Sequence, residues 1–348
     1  MHYDVIVIGA GPAGCTASKI LASNGIRTLL VERHKLPRYK SCSGVLIKKT
    51  VELTERIFEE KIPASAACAP TENHGMIFTD DSGREYRFEQ EGLNVWRSSF
   101  DNWLAEAAAD SGAELLDSCA AVSVTQDQTF VGASLKNGAN ITASYAIICE
   151  GAAGRIKTSL TGERHEFITT YQTFNRGVSN LDPHYFYAYL QPELSEYDAW
   201  FNVKDNLLVL GVSVRDISKI SFYYQKFVEY MAVHNGLRIS EFVKDEKWIM
   251  PLIKPNDRIE LGSGRILFAG EAAGFLNPMG EGISSAVESG ACAACSVIEG
   301  FSKPLDVLHR YKDKTENLSA YMKRQWNFLG SISRKFKMQG FNQTKCNL

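Results

Sequence analysis

The chain carries almost no excess charge of either sign. Its 38 Lys and Arg residues are balanced by 40 Asp and Glu residues, which leaves a net charge of −2 with neutral histidines. Proteins that hold nucleic acid neutralise many phosphates with basic residues, so we predict no nucleic-acid partner. The remaining composition, 45% apolar and 22% charged, is that of an ordinary globular protein and excludes a disordered or collagen-like chain.

The sequence also lacks an apolar run long enough to cross a membrane. The segment Val5–Gly14 is apolar but short and interrupted by Gly and Pro, whereas a membrane span needs about 18 apolar residues. The start of the chain has no basic region or cleavage site of a secretory leader, and the eight cysteines are scattered. We therefore expect free thiols in a reducing, cytoplasmic compartment. The basic segment Tyr311–Lys337 fits either a solvated helix face or peripheral membrane association.

Signatures of metal centres and serine hydrolases are absent. The seven histidines show no H-x-x-x-H spacing, and Cys292-Ala-Ala-Cys295 has no second C-x-x-C to pair with, so no metal site is predicted. Because that pair falls inside an apolar helical pattern, we interpret it as two core cysteines. No G-x-S-x-G is present, which removes the usual nucleophile of α/β-hydrolases.

The chain does contain a strand–turn–helix–strand unit at its start. Tyr3–Ile8 and Thr28–Glu32 are β-branched or apolar runs typical of buried strands, and Ala13–Asn24 is predicted to be a helix that ends at Gly25. Together they form a βαβ unit. The same type of pattern returns with a strand at Arg265–Ala269 and a helix over Ile283–Gly300.

The middle of the chain is different. Aromatic and Val-rich segments predict an antiparallel sheet over residues 74–89, 166–178, 184–190 and 197–214. Residues 215–245 and 305–340 are predicted to be helical. We therefore predict an α/β (α+β) fold with a discontinuous Rossmann-like domain (1–70, 95–158 and 258–302), an inserted antiparallel-sheet domain (71–94 and 159–257) and C-terminal helices (303–348).

A glycine-rich turn, Gly9-Ala-Gly11-Pro-Ala-Gly14, joins the first strand to the first helix. Gly9 permits the tight turn, Gly11 lets a pyrophosphate approach the backbone, and Gly14 lets the helix pack closely on the strand. Glu32 ends the second strand, where a carboxylate can accept the ribose hydroxyls of an adenosine. This combination predicts a dinucleotide site at the N-terminus of the helix.

A second glycine-rich segment contains Gly270-Glu-Ala-Ala-Gly274 and Pro278-Met-Gly-Glu-Gly282. It resembles the second FAD-binding signature of flavoproteins of the p-hydroxybenzoate hydroxylase type, in the form typical of their geranylgeranyl reductase-like branch. The resemblance implies FAD as the cofactor, with Glu271 on the ribitol chain where the family usually has Asp. It also implies that backbone N–H groups from Gly280 to Ile283 lie beside the isoalloxazine ring and stabilise its reduced anion.

Three shorter segments resemble the same family. Arg97 opens an R-x-x-F-D-x-x-L segment and is implied to meet the FAD linker, and Glu150-Gly151 stands where the family has an Asp-Gly motif. Cys42-Ser-Gly44 resembles a C-x-G segment beside the flavin. Cys42 is either a redox or substrate-contacting thiol, and so the candidate catalytic residue, or a small residue packed by the ring. The implied cofactor-binding residues are Gly9, Gly11, Ala13, Gly14, Glu32, Arg33, Cys42, Ser43, Gly44, Arg97, Gly151, Gly270, Glu271, Gly280, Gly282 and Ile283.

The family's reductases line their substrate cavity with a Y-x-W-x-F-P-K stretch. The segment Tyr197-Asp-Ala-Trp200-Phe-Asn-Val-Lys204 matches it in part. The match implies that Tyr197, Trp200 and Lys204 line the substrate site. For each aromatic residue, the core of the sheet is the alternative.

The resemblance implies an FAD-dependent oxidoreductase whose reduced flavin acts on a small apolar or aromatic substrate. Hydride transfer to a C=C bond is the reaction that the motifs favour, and the alternative is a flavin monooxygenase that hydroxylates the substrate with O₂ and NAD(P)H. A flavin electron carrier or redox sensor is a third possibility, which the aromatic middle domain disfavours. Because no second G-x-G-x-x-G is present, we expect the electron donor to be transiently bound NAD(P)H or a reduced electron-transfer protein.

Overall fold

The structure, a computed structural model, describes residues 2–162, 166–252, 259–302 and 306–334. Its strands are β1 (His2–Ile8), β2 (Thr28–Val31), β3 (Val45–Ile47), β4 (Ala67–Thr79), β5 (Glu85–Val95), β6 (Glu114–Leu116), β7 (Ala121–Gln126), β8 (Val131–Leu135), β9 (Asn140–Ile148), β10 (Phe167–Val178), β11 (Tyr185–Tyr189), β12 (Ala199–Lys204), β13 (Leu207–Val214), β14 (Arg238–Pro251), β15 (Gly262–Ser263) and β16 (Ile266–Phe268). Its helices are α1 (Pro12–Ser23), α2 (Lys48–Phe58), α3 (Arg97–Asp110), α4 (Arg155–Thr161), α5 (Ile220–Asn235), α6 (Ile283–Ser302), α7 (Val307–Lys314) and α8 (Glu316–Ile332).

The first sheet has the order β15-β16-β9-β1-β2-β6, with β8 on β9 and β7 on β8. The strands from β16 to β6 run parallel, as the βαβ unit predicts. Side chains alternate along β1: Val5 and Val7 pack with α1, α3 and α6, whereas Ile6 and Ile8 enter a second core on the opposite face. Both faces are covered from Val5 to Ile8, and this part of the strand is an unbroken apolar run.

The second sheet has the order β14-β10-β13-β12-β11-β4-β5-β3, and only the β4–β11 pair is parallel. One face of this sheet packs on α5, where Phe227 and Met231 meet Phe201 and Leu210 in a buried cluster. Residues of the opposite face, such as Trp200 and Ser213, line a cavity. The second sheet therefore separates a helix-covered core from a face that is available for a ligand.

These observations confirm the predicted α/β fold with an antiparallel sheet and C-terminal helices. The helix predicted over residues 215–245 is wrong after Asn235, because Gly236 with φ +62° ends α5 and the chain continues as β14. β14 pairs with β10 along nearly its whole length, so sheet pairing prevails over local helical propensity. Val45–Ile47 pairs with β5 in the second sheet although the predicted boundaries place it in the first domain; the division into domains stays a prediction.

The C-terminal part that the structure describes consists of α7 and α8 and ends at Arg334. The last residues of the predicted helical segment and of the basic segment Tyr311–Lys337 lie outside the described residues. Among the described helices, none combines the length and apolar character that crossing a bilayer requires.

Candidate active site

The three glycines of the turn after β1 have different structural roles. Gly9 has φ +105°, and a Cβ there would lie 2.4 Å from the carbonyl oxygen of Cys149. A Cβ on Gly14 would lie 1.9 Å from the carbonyl oxygen of Gly9, so this glycine lets α1 pack on the turn. Gly11 differs, because a Cβ there would meet only a guanidinium nitrogen of Arg38 at 3.6 Å. Two of the glycines are thus required by the fold, and Gly11 leaves space beside the N-terminus of α1.

Glu32 and Arg38 form one wall of this space. The two carboxylate oxygens of Glu32 accept the backbone N–H groups of Ala10 at 3.0 Å and His34 at 2.9 Å. The Arg38 Nε lies 3.2 Å from Glu32, and its Nη2 donates to the carbonyl of Ala10 at 3.1 Å. Sequence reasoning placed Glu32 at the site but did not assign Arg38 to it, since no local motif marks that arginine.

Arg38 continues into a buried ion-pair network. Its Nη1 lies 3.1 Å from Asp101, which also accepts two hydrogen bonds from Arg97 at 2.7 and 2.8 Å. Burial acts to raise the pKa of the Asp101 carboxyl, but the two guanidinium groups outweigh it and hold that pKa below its usual value. The network therefore keeps a carboxylate charged in the interior and fixes the Arg97 side chain on the cavity wall.

Cys42 lies on the same wall, beside Arg97. Its Sγ accepts a hydrogen bond from the backbone N–H of Gly44 at 3.4 Å. Burial acts to raise the pKa of the thiol, yet Arg97, the Gly44 N–H, Lys204 and Lys40 together lower it below the usual value. A cysteine in a cavity with a lowered pKa has the environment of a reactive thiol rather than that of an inert core thiol.

The second glycine-rich segment forms a short 3₁₀ turn, a loop and the start of α6. The Asn277 side-chain oxygen accepts the N–H groups of Met279 and Glu281 at 2.9 and 3.0 Å, which shapes the loop. Glu281 in turn accepts the backbone N–H of Ser284 at 2.9 Å, one of the free donors in the first turn of α6. A Cβ on Gly290 would lie 2.3 Å from the carbonyl oxygen of Ala13, so α6 packs directly on the beginning of α1. The two glycine-rich segments are thereby brought to one place.

Glu271 lies next to the Glu150–Gly151 segment on the cavity wall. Its carboxylate lies 3.3 Å from the Nζ of Lys40 and 3.3 Å from where a Cβ on Gly151 would be. The Glu150 carboxylate accepts the N–H groups of Ile156 and Lys157 at 3.0 and 3.3 Å, so it caps α4. Burial raises the pKa of Glu150. This cap gives Glu150 a structural role in addition to its place on the wall.

One elongated cavity joins all of these groups and encloses about 1830 Å³ of empty space, open solvent included. The predicted residues on its wall are Gly9, Gly11, Ala13, Glu32, Arg33, Cys42, Ser43, Arg97, Gly151, Trp200, Gly270, Glu271, Gly280, Gly282 and Ile283. Gly14, Gly44, Tyr197 and Lys204 are not on the wall. The structure thus brings most of the predicted residues together, although they come from segments far apart in the chain.

The wall fits FAD on charge and on shape. The first turn of α1 contains no acidic residue, and Arg38 lies next to the open space at Gly11, so an anionic pyrophosphate meets positive charge there. Farther along the cavity, Gly280 and Gly282 lie on the wall, and because they have no side chains their backbone faces the open space. The cavity continues from there to the second sheet, which leaves room for a substrate beyond the cofactor.

Two of the three predicted substrate-lining residues, Tyr197 and Lys204, do not reach the cavity wall. Tyr197 is buried behind the wall, and its hydroxyl donates to the carbonyl of Pro278 at 2.8 Å, so it supports the loop before α6. Lys204 is only 1% exposed, with its Nζ 4.4 Å from the centre of the Trp96 ring. A Cβ on Gly44 would lie 2.4 Å from that Nζ, which shows that the C-x-G segment covers the lysine. Burial lowers the pKa of Lys204.

Trp200 does line the far end of the cavity, and the sheet register explains why. Residues Gln172, Gly211 and Trp200 are direct neighbours across β10, β13 and β12. A Cβ on Gly211 would overlap the indole ring of Trp200 at 2.0 Å, so the missing side chain provides the space in which the indole lies. The other wall residues of this end were not found from sequence; they are Thr170, Gln172, Phe186, Asp198, Ser213, Trp248, Met250 and Met279. The alternation of side chains along each strand was the available signal, but it does not tell which face of the sheet lines the cavity.

Comparisons with known proteins indicate an FAD-binding protein. A family model described as FAD binding domain matches residues 2–231. The digeranylgeranylglycerophospholipid reductase of Thermoplasma volcanium is 26% identical over 322 residues, covering 84% of this chain and 77% of the relative. The geranylgeranyl diphosphate reductase of Rhodobacter capsulatus is 27% identical over 313 residues, covering 84% of this chain and 74% of the relative.

A solved structure supports the same fold. The geranylgeranyl bacteriochlorophyll reductase-like protein of Thermoplasma acidophilum superposes with a TM-score of 0.80 at 20% identity, covering 97% of this chain and 87% of that one. The family match covers well over half of the chain, and the cavity supplies a matching cofactor site. The chain therefore belongs to the FAD binding domain family, is similar to geranylgeranyl reductases at 26% and 27% identity, and is an FAD-dependent oxidoreductase.

Proposed function

We propose that the protein saturates a C=C bond of a mainly apolar substrate at the end of the cavity formed by the second sheet. The observation that carries this proposal is the Cys42 thiol, which lies on the cavity wall beside Arg97. FAD, when bound and reduced, supplies hydride chemistry. The electrons come from NAD(P)H or from a reduced electron-transfer protein. A C=C reduction needs one hydride and one proton, and the protein itself has to provide the proton.

Cys42 is suited to hold that proton at Sγ. Its pKa is lowered from the usual 9.0, which brings the thiol nearer to the pH at which an acid both carries its proton and releases it readily. Transfer of the proton to the substrate carbon leaves a thiolate. Arg97, Lys204 and the Gly44 N–H stabilise this anion, and it regains a proton from solvent.

The other wall residues bind and orient. Glu32 and Arg33 lie where the adenosine end of the cofactor would be held, Arg38 and the N-terminus of α1 where the pyrophosphate would be, and Glu271 near the ribitol chain. At the far end, the apolar side chains of Trp200, Trp248 and their neighbours favour a mainly apolar substrate, and Gln172 and Asp198 add polar groups to the wall. The names of the two reductase relatives are consistent with an isoprenoid chain as that substrate.

Product analysis tests the reaction. Geranylgeranyl diphosphate is incubated with the protein and dithionite without oxygen, and in parallel with NAD(P)H in air under isotopically labelled oxygen. We expect the anaerobic product to gain two hydrogens per turnover, both of them deuterium when the solvent is heavy water, because dithionite supplies only electrons. A labelled oxygen atom in the product, formed only in air, would instead identify a monooxygenase.

The variant Cys42→Ser tests the role of the thiol. We expect normal flavin absorbance and a loss of turnover of about a hundredfold or more, the usual contribution of a positioned acid. Cys68→Ser is the matched control, because Cys68 is buried off the cavity wall and burial raises its pKa to about 11. If Cys42→Ser turns over as fast as the wild type, the thiol is a packing residue and the proton comes from elsewhere.

A further inference from the structure

Two histidines and two carboxylates meet at the beginning of the parallel β4–β11 pair. None of the four, Glu72, His74, Asp182 and His184, is part of the cavity wall. The backbone N–H of His74 donates to the carbonyl of His184 at 2.7 Å, and Gly75 pairs with Tyr185 as the two strands continue. Sheet pairing therefore fixes the two histidines side by side, although their segments are distant in the chain.

The side chains of this cluster lie within ligand distance of one another. The imidazole rings of His74 and His184 are stacked, with centres 4.7 Å apart and an angle of 10° between planes. The Nδ1 of His184 lies 2.9 Å from a carboxylate oxygen of Asp182. One possible ligand atom from each of His74, Asp182 and His184 lies within 4.8 Å of the other two. Glu72 adds a carboxylate 3.6 Å from the Nε2 of His74.

The charges around the cluster favour a bound cation. The Asp182 carboxylate lies 2.9 Å from the Nδ1 of His184, and the Glu72 carboxylate lies 3.6 Å from the Nε2 of His74. Arg87 stacks on the Tyr185 ring at 4.8 Å and is paired with Glu89 at 3.5 Å. Tyr185, whose ring meets His74 edge to face, also donates its hydroxyl to Glu89.

We propose that His74, Asp182 and His184 form a site for a divalent transition-metal cation of the zinc type, with Glu72 or water as the fourth ligand. Two imidazole nitrogens and one or two carboxylate oxygens are a donor set that such cations accept. Bonds of roughly 2.0–2.2 Å require the ligand atoms to approach and one stacked ring to turn about χ2. The side chains are 39–47% exposed, so this movement is not hindered by packing.

A cation at this place would tie β4 to the loop that precedes β11. The site would therefore stabilise the parallel β4–β11 pair and would stand outside the catalytic cavity.

The test is calorimetric titration of the flavin-loaded protein with ZnCl₂ in a non-chelating buffer, after removal of metals with a chelator. We expect His74→Ala and His184→Ala each to weaken binding by about tenfold or more. His309→Ala is the matched control. His309 lies 3.6 Å from Asp313 on α7, but among the described residues it does not belong to a cluster of three possible metal ligands. Cys292→Ser/Cys295→Ser controls for binding by thiols.

A thermal melt gives a second readout that does not depend on activity. Added Zn²⁺ should raise the melting temperature of the wild type and of both controls, but not that of the double variant His74→Ala/His184→Ala. An unchanged titration and an unchanged zinc-dependent melting shift in the double variant would overturn the proposal. So would loss of binding in the cysteine control alone, since this would move the metal to α6.

Discussion

At the scale of single residues, four of the charges buried beside the cavity form a network in which each has a partner of opposite sign. Glu32, Arg38, Asp101 and Arg97 alternate in sign, with contacts from 2.7 to 3.2 Å. A buried ion contributes little net stability when it is paired, but it costs several kcal/mol when its partner is removed. The network therefore fixes the positions of the Arg97 and Arg38 side chains, which form part of the cavity wall.

The variant Asp101→Asn tests this network. It should lower the free energy of unfolding at pH 7 by about 3 kcal/mol, because two buried guanidinium groups lose their shared carboxylate. The folded pKa of Asp101 lies below its unfolded value near 3.8, so its contribution is present above that value and is lost as the pH falls through the folded pKa. Measured by denaturant unfolding, the free energy of unfolding should therefore decrease less steeply with falling pH in the variant than in the wild type below about pH 4.

Glu299→Gln is the control for this prediction. Glu299 also meets two cations, Arg310 at 3.0 Å and Lys314 at 2.8 Å, but on an exposed helix face. Exposed pairs are screened by solvent, and we expect little change in stability. An Asp101→Asn protein as stable as Glu299→Gln would show that the buried network does not hold the wall together.

At the scale of elements, two helix beginnings built from glycine-rich turns meet at the cofactor end of the cavity. The turn before α1 and the loop before α6 touch where Gly290 packs on the backbone of Ala13. Because these turns are local, their geometry follows from residues a few positions apart, and sequence motifs predict them well. The helical boundary after α5 was less predictable, because β14 is held by pairing with a strand distant along the chain.

The variants Gly11→Ala and Gly14→Ala separate binding from folding in the first turn. A Cβ on Gly11 meets nothing closer than 3.6 Å, so Gly11→Ala should fold normally and lose bound flavin, because the methyl group fills the pyrophosphate space. A Cβ on Gly14 lies 1.9 Å from backbone, so Gly14→Ala should unfold at clearly lower temperature. The flavin-to-protein absorbance ratio and thermal melts measure the two effects. Full flavin retention by Gly11→Ala would place the pyrophosphate elsewhere.

At the scale of the whole molecule, the cavity is completed by both sheets. The first sheet and its helices supply the glycine-rich turns, and the second sheet supplies Trp200 and its neighbours. The hydrogen bond from Tyr197 to Pro278 connects the second sheet to the loop before α6. Relative placement of the two sheets therefore determines the shape of the site.

The variant Tyr197→Phe tests this connection. Loss of the hydroxyl should weaken FAD binding by about 1 kcal/mol, roughly fivefold, because the loop is less well held. Titration of the flavin-free protein with FAD, followed by flavin fluorescence, measures the affinity. Tyr189→Phe removes a hydroxyl from the same sheet away from the loop and serves as the control. Equal affinities of both variants would mean that the loop is positioned without Tyr197.

Local motifs in the sequence were enough to predict the βαβ unit and a dinucleotide site at Gly9–Gly14, and the resemblance of the segments at Cys42–Gly44 and Gly270–Ile283 to a known family implied FAD. Each depends on backbone geometry over a few residues, which a pattern of Gly, Pro and acidic positions records directly. The substrate end of the cavity and the His74–His184 cluster depend instead on which strands pair and in which register. Side chains alternate between faces, so a register shift of one residue reverses every contact, and no short stretch of sequence contains that information.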